Sequence, residues 1–303
     1  MLKKRNLTPK TKTNTSTTFK VSKEVQLFTF LSESMPQKSR TTIKSLLRNQ
    51  LVAVNGVGQT HVNFGLKSGD VVSIGQRVEK AVEIPTKLDI LFEDDYILVV
   101  NKPEGLLTMG TDKEKRRTMY AYLSLHVKKQ NPNAKIFIVH RLDRETSGLL
   151  VFAKSMDVKT IMQNAWNDDT KYRKYLALVE GLVKEKEGTI KSYLRESKAL
   201  KVHSSKNETY GKESITHYKV IGLKKNSSLL EVVLETGRKN QIRVHMEELG
   251  HPIVGDKKYG AKTNPIKRLG LHALELGFKH PVNGKILSFK TSIPSKFAVG
   301  KNA

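Results

Sequence analysis

Cysteine is absent from all 303 residues. That removes disulfides, thiolate zinc sites and cysteine nucleophiles together, and it fits a reducing, cytoplasmic compartment. No apolar run approaches the ~18 residues that suggest a membrane span, so no membrane partner is expected. The nine histidines are scattered and none falls in an HExxH arrangement, so no metal centre is expected. Neither GxxxxGK(S/T) nor GxGxxG occurs, and nothing in the chain requires a cofactor.

Acidic residues are the scarce charge. Lys and Arg number 54 against 29 Asp and Glu, a net charge of +25, and the pI is near 10.0. Such an excess is the electrostatic footprint of a polyanion binder. Alone it does not separate RNA from DNA or from an anionic membrane surface. With 38% hydrophobic residues the chain can bury a core, which excludes a wholly disordered basic protein. Its length accommodates one large domain or two smaller ones, at roughly 100–200 residues each.

Four segments are expected along the chain. Residues 1–22, starting MLKKRNLTPKTKTNTSTTFK, hold no acid before Glu24 and no apolar h-region. They read as a disordered basic arm rather than a secretory leader. Residues 23–76 read as a small module. Val25, Leu27, Phe28 and Leu31 fit one helical stripe, and Ile43, Leu46 and Leu47 another. Ser39-Arg40-Thr41-Thr42 suits a helix start. Val52-Ala53-Val54 followed by Asn55-Gly56 is a hairpin signal. Residues 77–87, charged and holding Pro85, read as a linker.

From residue 88 to 298 strand-like runs dominate: Ile97–Val100, Ile136–Val139, Leu149–Ala153, Tyr175–Val179, His217–Ile221 and Leu229–Leu234. Helices are expected near Tyr120–Lys129, Met156–Asn167 and Gln241–Leu249. Irregular interspersion, with no βαβ repeat, predicts an α+β fold built on a mostly antiparallel mixed sheet flanked by helices.

The most informative stretch is His140–Leu150, HRLDRETSGLL. Asp143 sits between Arg141 and Arg144, and the chain then turns into an apolar run that reads as a buried strand. The acid is therefore expected at the strand's mouth, where active sites are often built. Neighbouring guanidiniums favour an ionised carboxylate, which can act as a nucleophile. A salt-bridged surface loop has the same charge pattern.

HRLDRETSGLL resembles the signature of the RluA-type (RluD-like) family of RNA pseudouridine synthases, whose motif aspartate is catalytic. Other segments follow in the family's order. Val99-Val100-Asn101-Lys102-Pro103-Glu104-Gly105-Leu106 resembles its opening motif; a strand ended by Pro103 also accounts for that segment, and Lys102 is not taken as a site residue. Lys174–Gly181 resembles the segment carrying the active-site tyrosine, here Tyr175, though a core tyrosine in a strand looks the same. Thr236–His245, TGRKNQIRVH, is similar to the last signature. It implies that Arg243 pairs with the catalytic acid; a surface arginine paired with Glu247 is the ordinary alternative. Asn240 stands where the family commonly has histidine. His251–Asp256 and Leu271-His272-Ala273 continue the likeness. The order helix, helix, hairpin, LKSGDVV resembles an S-four-type RNA-binding module, which implies that Arg40, Lys44 and Arg48 face phosphates from one helical face.

The resemblance implies an isomerase that converts uridine to pseudouridine in structured RNA. It implies Asp143, Arg243 and Tyr175 as the catalytic set, and Arg40, Lys44, Arg48, Arg141, Arg144 and Arg238 as RNA contacts. Large-subunit ribosomal RNA is the expected substrate and transfer RNA the alternative. A non-catalytic RNA-binding assembly factor would share the charge and the N-terminal module. A monomer is expected.

Overall fold

The computed structural model describes residues 17–49, 51–75, 88–112, 114–166 and 170–297. The chain divides into two compact units, Met1–Glu83 and Ile84–Ala303. Residues 1–16 and the span read as a linker lie outside the described residues.

In the first unit, helices α1 (Leu27–Ser34) and α2 (Arg40–Arg48) pack on a four-stranded antiparallel sheet. Its strands are β1 (Thr17–Lys20), β3 (Val52–Val54), β4 (Val57–Gly58) and β6 (Val71–Ile74), ordered β1-β6-β3-β4. A separate short ladder pairs β2 (Val25–Gln26) with β5 (Gly65–Leu66). Ser39 caps α2 by accepting the Thr42 N–H at 3.2 Å. Leu27, Leu31, Ile43 and Leu47 interlock with Val52, Val54 and Val72, each full burial contributing roughly 1.5–3 kcal/mol. Asn55 and Gly56 both take positive φ, 50° and 78°, the pairing a type I′ turn requires. Two boundaries differ from expectation. Val25 is a strand residue, and Thr17–Lys20 is paired strand rather than disordered arm. Phe19 explains the second difference, because its ring meets Phe30 edge-on at 6.4 Å.

The second unit is built on β7 (Ile90–Glu93), β8 (Ile97–Lys102), β9 (Phe137–Ile138), β10 (Ser147–Ala153), β11 (Thr170–Glu180), β12 (Glu187–Glu196), β13 (Val202–Ser205), β14 (Lys212–Lys224), β15 (Ser227–Leu234), β16 (Leu271–Lys279) and β17 (Ile286–Lys290). They form one sheet ordered β13-β12-β14-β15-β11-β16-β10-β8-β7, with β17 on β16 and β9 on β10. Every pairing is antiparallel except β10 with β16. The α+β, mostly antiparallel mixed sheet expected from sequence is what the chain forms.

Strand β10 is buried at all seven positions because it is covered on both faces. Leu150 and Phe152 meet α3 (Met119–Gln130), while Leu149 and Val151 meet α4 (Met156–Asn164). A strand covered twice reads as a continuous apolar run. Helix α5 (Gln241–Glu248) lays Ile242 and Met246 on β11 and β15.

The β10–β16 contact is short: Ser147 faces His272 and Gly148 faces Ala273. Gly148 has φ +112°, and a Cβ there would lie 2.1 Å from the Ala273 carbonyl oxygen. Only glycine permits this approach. Ala273 also faces Tyr175 on β11, so Gly148, Ala273 and Tyr175 form one row across three strands. That row fixes the distance from Tyr175 to the loop carrying Asp143.

Candidate active site

Asp143 lies in the loop between β9 and β10, as expected, and the loop is pinned on both sides of it. Thr108 exchanges hydrogen bonds with Leu142, its Oγ1 donating to the carbonyl at 2.8 Å and accepting the N–H at 3.2 Å. Lys102 is fully buried, and its Nζ donates to the carbonyls of Pro103, Leu106 and Arg144 at 2.9, 2.8 and 3.1 Å. Burial pushes this amine down to about 8, against the pull of Glu145 and Asp143. A buried lysine locking three carbonyls is loop architecture and has no surface to offer RNA.

Arg243 comes from α5. The Thr236–Asn240 turn that delivers it is fastened by Gln241, whose Oε1 accepts from Thr236 Oγ1 and the Arg238 N–H, both at 2.9 Å. The Gln241 Nε2 donates to the Ile215 carbonyl at 3.0 Å. The Arg243 Nη1 then reaches Asp143 Oδ2 at 3.0 Å. Its other edge grips Asp256 bidentately, Nε to Oδ2 at 2.6 Å and Nη2 to Oδ1 at 2.8 Å. Burial alone would lower the guanidinium's pKa, but the two carboxylates hold it above its ordinary value. The i+4 pairing with Glu247 does not form; Glu247 meets Lys201 instead.

Tyr175 packs against two core clusters, one holding Ala177 and Val232 and the other Leu150. Burial raises its phenol, and the Asp143 carboxylate adds to that, against Arg173. Asp143, Tyr175 and Arg243, 100 residues apart at the extremes of the set, line one cavity of about 380 Å³ with Arg141, Arg238 and Asn240. That volume lies in the range of ordinary ligand sites.

The flanking arginines do not contact the acid. Arg141 reaches towards Met109 Sδ, 3.9 Å away, and exposed Arg144 lines a neighbouring cavity of about 500 Å³ with Arg117. The ion pair that matters comes from Arg243, whose planar fork fits two carboxylates at once. Arg238 is exposed on the rim. Arg40, Lys44 and Arg48 belong to the other unit, all exposed on α2.

Three site residues escaped sequence reasoning. Asp256, with a side chain 1% exposed, holds Arg243 from behind. Tyr259, also buried, packs its ring under that guanidinium at 4.9 Å. Asn240, marked in the sequence only as a departure, donates to Asp143 Oδ2 at 2.5 Å. For Asp256 the available signal was the acid closing the HPIVGD segment.

The arrangement offers a carboxylate anchored through one oxygen, an aromatic wall and a fixed cation. Among the described residues no group of three His, Cys, Asp or Glu side chains could hold a metal ion. No helix among them is long and apolar enough to cross a membrane.

Comparison with known proteins identifies the family. The family described as RNA pseudouridylate synthase matches residues 96–248. The uncharacterised RNA pseudouridine synthase YhcT of Bacillus subtilis is 34% identical over 276 residues, covering 89% of this chain and 90% of that protein. Ribosomal large subunit pseudouridine synthase D of Haemophilus ducreyi is 30% identical over 287 residues, covering 88% and 87%. In structure, human RNA pseudouridylate synthase domain containing 4 has a similar fold, with TM-score 0.57 and 24% identity over 69% of this chain and 90% of that one. The chain belongs to the RNA pseudouridylate synthase family. It is an isomerase that converts uridine to pseudouridine in RNA.

Proposed function

We propose that Asp143 is the catalytic carboxylate, with Tyr175 and Arg243 as its partners, and that large-subunit ribosomal RNA is the substrate. The observation that carries the site is the convergence of these three side chains on one cavity, with Arg243 at 3.0 Å from the acid. The relatives named as synthases of the large ribosomal subunit carry the substrate.

Isomerisation breaks the bond from N1 of uracil to the ribose, turns the base and rejoins it through C5, which gives up its proton while the freed N1 takes one up. A hydrolase needs water admitted and, in most families, a second carboxylate. Here water must be kept from the detached base. Asp143 assists cleavage, Arg243 holds the carboxylate in place, and the Tyr175 ring replaces stacking lost when the uridine flips out. Flipping costs a few kcal/mol. Phosphate contacts by Arg141, Arg144 and Arg238 around the cavity offset it, as do Arg40, Lys44 and Arg48 on an RNA-binding N-terminal module.

The test is tritium release from ribosomal and transfer RNA labelled at uracil C5. Wild type releases tritium from ribosomal RNA, and Asp143→Asn binds it with unchanged affinity and releases none. Turnover by Asp143→Asn would remove the acid from the chemistry. Release from transfer RNA alone would reassign the substrate, and binding without any release would leave an RNA-binding assembly factor.

A further inference from the structure

Asn240 sits just before α5 in left-handed backbone, φ 54°, and joins two groups of different character. Its Nδ2 donates to Asp143 Oδ2 at 2.5 Å, and its Oδ1 accepts from the Tyr259 hydroxyl at 3.2 Å. The same hydroxyl accepts the Val202 N–H at 3.2 Å. A phenol has one proton. The Asp143 carboxylate can only accept, so the amide turns Nδ2 to it and Oδ1 to the Tyr259 hydroxyl, which donates its proton there while accepting from Val202.

The consequence falls on Asp143. Both of its donors, Asn240 Nδ2 and Arg243 Nη1, reach the same oxygen, Oδ2. Among the described residues, Oδ1 takes no protein hydrogen bond. Tyr259 is completely buried and cannot swing away, so the relay has a rigid root.

We propose that Asn240, aligned by Tyr259, is a positioning residue that saturates Oδ2 and leaves Oδ1 as the oxygen presented to the flipped uridine. This rests on the reading of Asp143 as the catalytic acid. The choice of an amide has its own meaning. It donates without titrating, whereas an imidazole at this place would change charge near pH 6.5.

The experiment measures kcat, KM and the pH profile of tritium release by the full chain, on whichever labelled RNA the wild type converts. Asn240→Ala lowers kcat on the order of 10–100-fold, the loss of a hydrogen bond to a charged group, and leaves KM within about twofold. Tyr259→Phe keeps the packing and lowers kcat by about 3–10-fold. Asn240→Asp places a second carboxylate against Asp143, so the two compete for a proton and the acid limb of the profile moves up by about one unit or more. The other charged or titratable groups facing this pair are Arg141 from the same loop, Arg243 from α5, Lys102 from β8, Tyr175 from β11, Glu196 from β12, Arg238 and Lys239 from the preceding turn, and Asp256 and Tyr259 behind Arg243. All are common to wild type and variant, so a moved limb reports the new carboxylate.

Unchanged kcat in Asn240→Ala, or an Asn240→Asp profile parallel to wild type, overturns the inference. Asp143→Asn in the same assay separates the two readings. An active Asp143→Asn removes the acid itself, whereas an inactive one with an unmoved Asn240→Asp profile removes only the role of Asn240.

Discussion

The roles proposed for the two units make opposite demands on structure. The N-terminal unit presents Arg40, Lys44 and Arg48 on one nine-residue helix, all exposed. The second unit assembles its site from a loop, a strand and a helix, and braces it with buried Asp256 and Tyr259. A surface that contacts phosphate needs charge in roughly the right place, because that contact positions RNA without reading it. A reacting carboxylate needs its geometry held closely, because small misplacements are expensive in rate. The first requirement is met by spacing within one helix and the second only by tertiary structure.

The sharpest way to break this contrast is Gly148→Ala. The added Cβ would meet the Ala273 carbonyl oxygen at 2.1 Å in left-handed backbone, which should destabilise the second unit by more than about 4 kcal/mol. The protein's one tryptophan, Trp166, stacks on His140 at 4.8 Å, so denaturant unfolding followed by its fluorescence reads that unit. The N-terminal unit should keep its own transition; loss of both together would tie the units more closely than their separate cores suggest.

Acid gives the next largest difference. Burial pushes His245 and His272 down to about 4 each, while in the unfolded chain they titrate near 6.5. Between those values the unfolded chain binds more protons, so stability present above about pH 6.5 is lost as pH falls towards 4. The N-terminal unit holds a single histidine, exposed His61. Trp166 fluorescence should therefore show the second unit losing stability across that window, and His245→Gln and His272→Gln should flatten the loss.

Asp256→Asn comes third. It keeps the shape but leaves Arg243 with one carboxylate, at a cost of about 3 kcal/mol and about tenfold or more in kcat. A variant with full activity would show that Arg243 needs no bracing. The smallest effect on stability, within about 0.5 kcal/mol, belongs to the triple change of Arg40, Lys44 and Arg48 to alanine. Three lost phosphate contacts should lower the slope of log affinity against log salt by about 2, with kcat at saturating RNA unchanged. An unchanged slope would take α2 off the RNA.

The same contrast governs how much could be read beforehand. Local signals gave α2 with its Ser39 cap, the Asn55-Gly56 turn and the buried run of β10, since each depends on neighbours in sequence. Asp143, Tyr175 and Arg243 were singled out through motif resemblance, and the three line one cavity. Strand β16 was not, because Leu, Ala and Glu in LHALELGFK favour helix and only pairing with β10, β11 and β17 makes it a strand. The alternating β12, rich in charge, was missed likewise. Asp256 lies 13 residues from Arg243, and no local rule says that a turn will fold it back behind the guanidinium. The flanking arginines misled for the converse reason, since adjacency in sequence sent their side chains away from Asp143.

The parallel contact between β10 and β16 also sets an order of assembly. Ser147 and His272 are separated by 125 positions, and closing so long a loop is entropically costly and slow. During synthesis the acid, the tyrosine and the arginine all emerge before the strand that aligns them. A chain cut just before Leu271 would carry Asp143, Tyr175 and Arg243 and have no row to hold them. On the proposed assignment, competence is deferred until β16 (Leu271–Lys279) has been made, and a copy lacking it would keep its basic residues without the row that aligns the three side chains.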